Sequence, residues 1–116
     1  MSEESPQRIP VSQMTLDDLR DTIIGMNETA RREGIFVLEG TLPDGDFSDR
    51  LFRDGMQLAI DQTDPSLVTR ILTARKQTYL QQQETRLNMI IEGVASIQSG
   101  ENPRLTEMKL SSYFDL

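Results

Sequence analysis

From Pro65 to Ser99 the chain has no second proline and a single glycine, Gly93. Few folds tolerate such a stretch except as helix. Thr63-Asp64-Pro65 is a helix start: Asp64 suits the cap position, and Pro65 suits the first helical residue, where no amide partner is needed. Leu67, Val68, Ile71 and Leu72 recur at helical spacing near the beginning, and Leu87, Ile90, Ile91, Val94, Ala95 and Ile97 do so near the end. Between Thr73 and Arg86 only Ala74, Tyr79 and Leu80 are apolar, and residues 81–86 (Gln-Gln-Gln-Glu-Thr-Arg) are wholly polar. A helix over residues 65–98 is about 50 Å long, and its polar waist has nothing to pack on within one small domain. Either the helix breaks near residues 81–86 or it projects and meets another chain.

The segments around it also read as helix. Thr15 caps a first helix whose stripe is Leu16, Leu19, Ile23, Met26 and Ala30, with Asp17 and Asp18 at its positive start and Arg31 and Arg32 in its last turn. Gly34 is a left-handed stop. Ile35-Phe36-Val37-Leu38 has no second strand-like run to pair with, so a helical turn is expected there. Residues 40–46 are turn chemistry. A helix over about residues 48–61 follows, with Leu51, Phe52, Met56, Ala59 and Ile60 on its apolar face. Gly55 inside it implies a close helix crossing. Asn102-Pro103 repeats the cap-plus-proline device and begins a short last helix. The fold class is therefore all-α, with four to five helices. Residues 1–14, with Pro6 and Pro10, are expected to be a flexible arm, and residues 15–116 a single helical domain. The stripes place Leu19, Ile23, Met26, Leu38, Phe52, Ile60, Leu67 and Ile71 in one core.

Composition narrows the function. Cysteine and histidine are absent, which removes disulfides, thiol nucleophiles and histidine-based acid–base chemistry. The 19 acidic against 12 basic residues leave a formal charge of −7, which disfavours nucleic acid as a partner. Asp44, Asp46 and Asp49 lack the alternating spacing and closing glutamate of a calcium loop. No carboxylate pair is singled out for acid–base work, so no enzyme activity, cofactor or metal is expected. No run of about 20 apolar residues is present to span a bilayer, and the acidic start is unlike a signal peptide. A cytoplasmic location is expected.

Two segments are more specific than their composition. The first comprises residues 30–39 (Ala-Arg-Arg-Glu-Gly-Ile-Phe-Val-Leu-Glu) and 55–65 (Gly-Met-Gln-Leu-Ala-Ile-Asp-Gln-Thr-Asp-Pro). The second is residues 91–104 (Ile-Glu-Gly-Val-Ala-Ser-Ile-Gln-Ser-Gly-Glu-Asn-Pro-Arg). Both resemble the A subunit of the bacterial flagellar motor stator, the MotA/PomA family. The first is similar to its cytoplasmic region between the second and third membrane helices, and the second to the stretch after the fourth. The family's membrane helices are missing, and residues 75–86 stand where two of them belong. The resemblance implies either a natural membrane-free paralogue or a deletion that joins the loop to the tail. The parent family sits in the bacterial inner membrane with this domain facing the cytoplasm.

The resemblance implies a protein-interaction domain that binds the rotor switch protein through charged residues. The family's basic pair matches Arg31 and Arg32, and its acidic residue matches Glu39. Gly40 stands where the family often has a second acid. Read from the residues alone, Arg31 and Arg32 are cations at a negative helix end. Family geometry also makes the flanking helices antiparallel, so the chain has to reverse within about residues 80–87. That stretch has no Gly, Pro, Asn or Asp, and its residues are good helix formers. A continuous helix and a homodimer, formed by domain swapping, are the expected outcome. The other readings are a paralogue acting as a rotor brake or decoy, and a helical module that only self-associates.

Overall fold

The computed structural model describes residues 10–114. Within them the fold is all-helical: α1 (Leu16–Glu33), α2 (Phe47–Ile60), α3 (Pro65–Ser99) and α4 (Pro103–Ser111), with 3-10 helices at Val11–Gln13 and Ile35–Thr41. No β-strand occurs among the described residues. The long helix runs unbroken through residues 81–86, as the absence of turn residues there requires. The chain forms two compact units, one up to Arg75 and one from Lys76, where the sequence pattern points to a single domain over residues 15–116.

Helix ends follow the local chemistry. The Asp18 amide donates to Thr15 Oγ1 at 3.1 Å, and α1 stops at Gly34, whose φ of 93° disfavours a side chain. The end of α2 closes with two reversed bonds, Gln62 N–H to the Ala59 carbonyl and Thr63 N–H to the Leu58 carbonyl, both 3.0 Å. Gln62 takes the left-handed position there, at φ 65°, without being glycine. Asp64 caps α3 by accepting from the Leu67 amide, and Pro65 is its first residue. Asn102 Oδ1 accepts from the Arg104 amide at 2.9 Å, with Pro103 opening α4.

The first unit is organised around Leu38 and Ile60, which are buried, together with Val11. The 3-10 segment Ile35–Thr41 packs on α1 and α2 and carries Leu38 into the space between them. Gly55 is buried where α2 meets α3, and a Cβ built on it would stand 2.6 Å from Leu72 Cδ1. The crossing implied by that glycine is present. Arg75 adds a 2.7 Å hydrogen bond to Asp54 across the same contact. The eight-residue core is only partly realised. Leu19, Met26, Phe52 and Ile71 are half-buried, and Ile23 and Leu67 are 46% and 43% exposed. The reason is architectural. α1 rests on the 3-10 segment and buries no residue completely, while Leu67 lies in the solvated first turn of α3.

Residues 1–9 of the expected arm lie outside the described residues, but residues 10–14 are tied down. Ser12 donates to Asp49 twice, from its hydroxyl at 2.6 Å and its amide at 3.2 Å. The Asp46 amide adds a third bond at 3.0 Å. Burial of Asp49 raises its carboxyl pKa, but the bonds from Ser12, Asp46 and Val11 outweigh that and hold it below its ordinary value. Gly45 completes the arrangement, since a Cβ there would meet Asp49 Oδ2 at 2.7 Å.

In the second unit, α4 is fixed to α3 by a cluster of charged and polar groups. Lys109 Nζ lies 3.0 Å from Glu101 and 3.5 Å from Glu92, and the Tyr113 hydroxyl donates to Glu92 at 2.7 Å. Glu101, and then Glu92, raise the Lys109 ammonium above its ordinary pKa.

Three outcomes are expected from urea denaturation. Ile60→Ala costs about 2–5 kcal/mol, because the side chain is fully buried, whereas half-buried Phe52→Ala costs less than a fully buried phenylalanine would. Gly55→Leu destabilises by about 1–3 kcal/mol through overpacking against Leu72. Asp49→Asn costs about 1.5–3 kcal/mol at pH 7, by loss of charge-assisted bonds. The depressed folded pKa makes the Asp49 contribution fully present above the unfolded value of about 3.9 and lost as pH falls through the folded one. The stability gap between wild type and Asp49→Asn therefore narrows with acidification below about pH 4.

Candidate functional site

The site residues marked by sequence fall on two adjoining elements. Arg31 and Arg32 occupy the last turn of α1, and Glu39 sits in the 3-10 segment that follows the Gly34 stop. All three are exposed. The stop redirects the chain, and Leu38, buried beneath, anchors the segment that carries Glu39. Between the basic pair and the acid, Phe36 and Val37 point outward at 59% and 44% exposure. The surface is thus a small apolar centre with charges on either side along the chain.

The electrostatics leave the arginines available. Among the described residues Arg31 has no carboxylate within ion-pairing distance. Arg32 reaches only its neighbour Glu33, at 3.6 Å, with both side chains more than half exposed. No ion pair joins either arginine to Glu39. Glu39 is instead held by α2, where Gln57 Nε2 donates to its Oε2 at 3.1 Å and to Asp61 Oδ1 at 3.2 Å. Exposed pairs of this kind contribute ~0.2–1 kcal/mol each, so the surface suits weak and reversible contacts.

A second charged group was not visible in the sequence. Arg53 pairs with Asp44 and with Asp54, at 3.1 Å for Asp54, and Arg75 donates to the other Asp54 oxygen. The Arg75 hydrogen bond, then that from Arg53, holds the Asp54 carboxyl below its ordinary pKa. These residues are separated in the chain by turns whose path only tertiary contacts determine, so no spacing rule finds them. They join α2 to the loop before it and to α3, and their charges neutralise one another. In the sequence Asp49 stood out only as part of an unsuitable calcium loop, and its pairing with Ser12 was not legible. Both Asp49 oxygens are engaged by protein donors.

No family model matches the chain, and no match to it was found among curated proteins or solved structures. Among the described residues no helix is long and apolar enough to cross a membrane.

Because the arginine head groups are solvated, their removal has little effect on folding. Arg31→Ala and Arg32→Ala each change stability by no more than about 1 kcal/mol, the size of a helix-end charge effect. Thermal melts followed by circular dichroism check this, and a larger loss would show that the pair supports the fold.

Proposed function

We propose that this chain is a non-enzymatic interaction domain of the bacterial flagellar motor, similar to the rotor-contacting part of a stator A subunit. It binds the rotor switch protein through Arg31, Arg32 and Glu39. The observation that best supports the reading is that Arg31 and Arg32 are exposed and, among the described residues, lack an ion-pair partner other than the neighbouring Glu33. A cation pair engaged within its own fold would have to exchange partners before binding. These residues are ready to meet an acidic surface. Exposed Phe36 and Val37 beside them supply apolar area that excludes water from a contact of this kind. Glu39, braced by Gln57, presents the opposite charge and fixes orientation. Individually weak, screened charge pairs give fast exchange, which a contact that forms and releases repeatedly needs.

A soluble stator relative that occupies the rotor without delivering torque uses the same surface.

Titration of the labelled chain with the rotor switch protein, followed by NMR shift mapping, tests the site. Shifts are expected within residues 28–40, with affinity falling as salt rises. Arg31→Glu weakens binding by about fivefold or more, the equivalent of roughly 1 kcal/mol, and a charge swap on the rotor protein restores part of it. Shifts clustered elsewhere in the chain would refute the site.

A further inference from the structure

The helix α3 carries an apolar face that the described residues leave uncovered. Leu80, Leu87, Ile90, Ile91, Val94 and Ile97 are 55–81% exposed. Large apolar side chains clustered this way on a protein surface mark an interaction site. α4 does not cover them. It is held on the side of α3 that presents Glu92, and Ser96 is buried there. At about 100° per residue, Glu92 and Ser96 lie close to half a turn around the axis from Leu87 and Val94, with Ile91 between the two faces. The ion pairs of Lys109 keep α4 on that side.

The spacing of the uncovered face is that of a coiled-coil seam. Leu80, Gln83, Leu87, Ile90, Val94 and Ile97 follow one another at intervals of three and four residues, which are the a and d positions of successive heptads. Ile91 flanks the seam. We propose that this face is the interface of a homodimer in which two copies of α3 pack antiparallel. Leu80 of one copy lies opposite Ile97 of the other, Gln83 opposite Val94, and Leu87 opposite Ile90. In this register every a position faces a d position.

Two further observations select a second copy of this chain and this orientation. The first is area. Six such side chains each offer about 80 Å² of apolar surface, roughly 500 Å² per copy. That is the apolar share of the ~800 Å² per partner that a standard interface buries. The second is charge. Residues 1–75 carry 14 acidic and 8 basic side chains, a net of −6, while residues 76–116 carry 5 acidic and 4 basic, a net of −1. A parallel pair sets two strongly acidic halves side by side and stacks Gln83 on Gln83. The antiparallel pair sets each strongly acidic half beside a nearly neutral one.

The inference does not depend on the rotor contact and is tested without any rotor protein. Light scattering at micromolar concentration should return twice the 13.2 kDa chain mass. Ile90→Glu should weaken the dimer by about a hundredfold or more while helix content by circular dichroism is unchanged, since Ile90 touches little within its own chain. The chain has no cysteine, so register is read directly. Mixed Leu80→Cys and Ile97→Cys chains should oxidise to the 80–97 disulfide in preference to 80–80. A monomer at micromolar concentration, or an Ile90→Glu protein that dimerises as tightly as wild type, would overturn the interface. Dominant 80–80 cross-linking would overturn the antiparallel register.

Discussion

The backbone between residues 80 and 87 favours helix over a turn, and the rest of the structure accommodates that constraint. Gln81, Gln82, Gln83, Glu84 and Arg86 are good helix formers, and the stretch has no Gly, Pro, Asn or Asp, the residues that make tight reversals most readily. A loop here would have released the second half of α3 to fold independently. Instead one helix of 35 residues belongs to both compact units. Its front part is read by α2 through the Gly55–Leu72 contact and the Arg75–Asp54 bond. Its rear part is read by α4 through Glu92. Each unit grips only one side of the helix, so apolar residues on other sides stay in water.

Within the first unit a single buried carboxylate does the work that a larger core does elsewhere. The unit buries few apolar side chains completely, and small domains with modest cores are marginal. Asp49 compensates by collecting hydrogen bonds from Ser12, Asp46 and Val11, thereby joining the N-terminal segment to the start of α2. Charge-assisted bonds are about twice as strong as neutral ones, provided that the carboxylate stays ionised. The same device makes the unit sensitive to acid. It also dictates glycine at position 45, because the carboxylate occupies the space that a Cβ would need.

The helices and their ends were legible because capping is local. Thr15, Gly34, Asp64-Pro65 and Asn102-Pro103 each act within one turn of their own position, and the structure uses all of them as caps or stops. A helical turn over residues 35–38 was legible for lack of any strand to pair with, though its 3-10 form and its continuation to Thr41 were not. Burial was much less so. A stripe such as Leu19–Ile23–Met26 states that a face seeks cover but not how much cover the remaining chain supplies, and here it supplies little. Ser12–Asp49 and Arg53–Asp54–Arg75 were invisible because their partners are 37 and 21 residues apart and meet only through tertiary packing. Of the charged surface, the positions of Arg31, Arg32 and Glu39 were readable. That Gln57 braces Glu39 and that no carboxylate reaches Arg31 were not.

The two surfaces proposed for this chain respond to salt with opposite sign, which follows from what each is made of. The seam on α3 is apolar apart from Gln83, so salts that are excluded from protein surfaces strengthen its burial. Added salt also screens the −6 charge of the front half, whose repulsion opposes any association. The Arg31–Arg32–Glu39 surface depends chiefly on exposed charges around the small apolar area of Phe36 and Val37, and screening weakens it. Self-association is therefore favoured under the conditions that silence the charged surface. Either contact can be varied without the other, because the charged surface lies at the end of α1 and the seam begins at Leu80. A substitution at Ile90 changes no residue of the charged surface. Any change in partner binding caused by Ile90→Glu then reports the effect of oligomeric state alone, through the number of charged surfaces presented together.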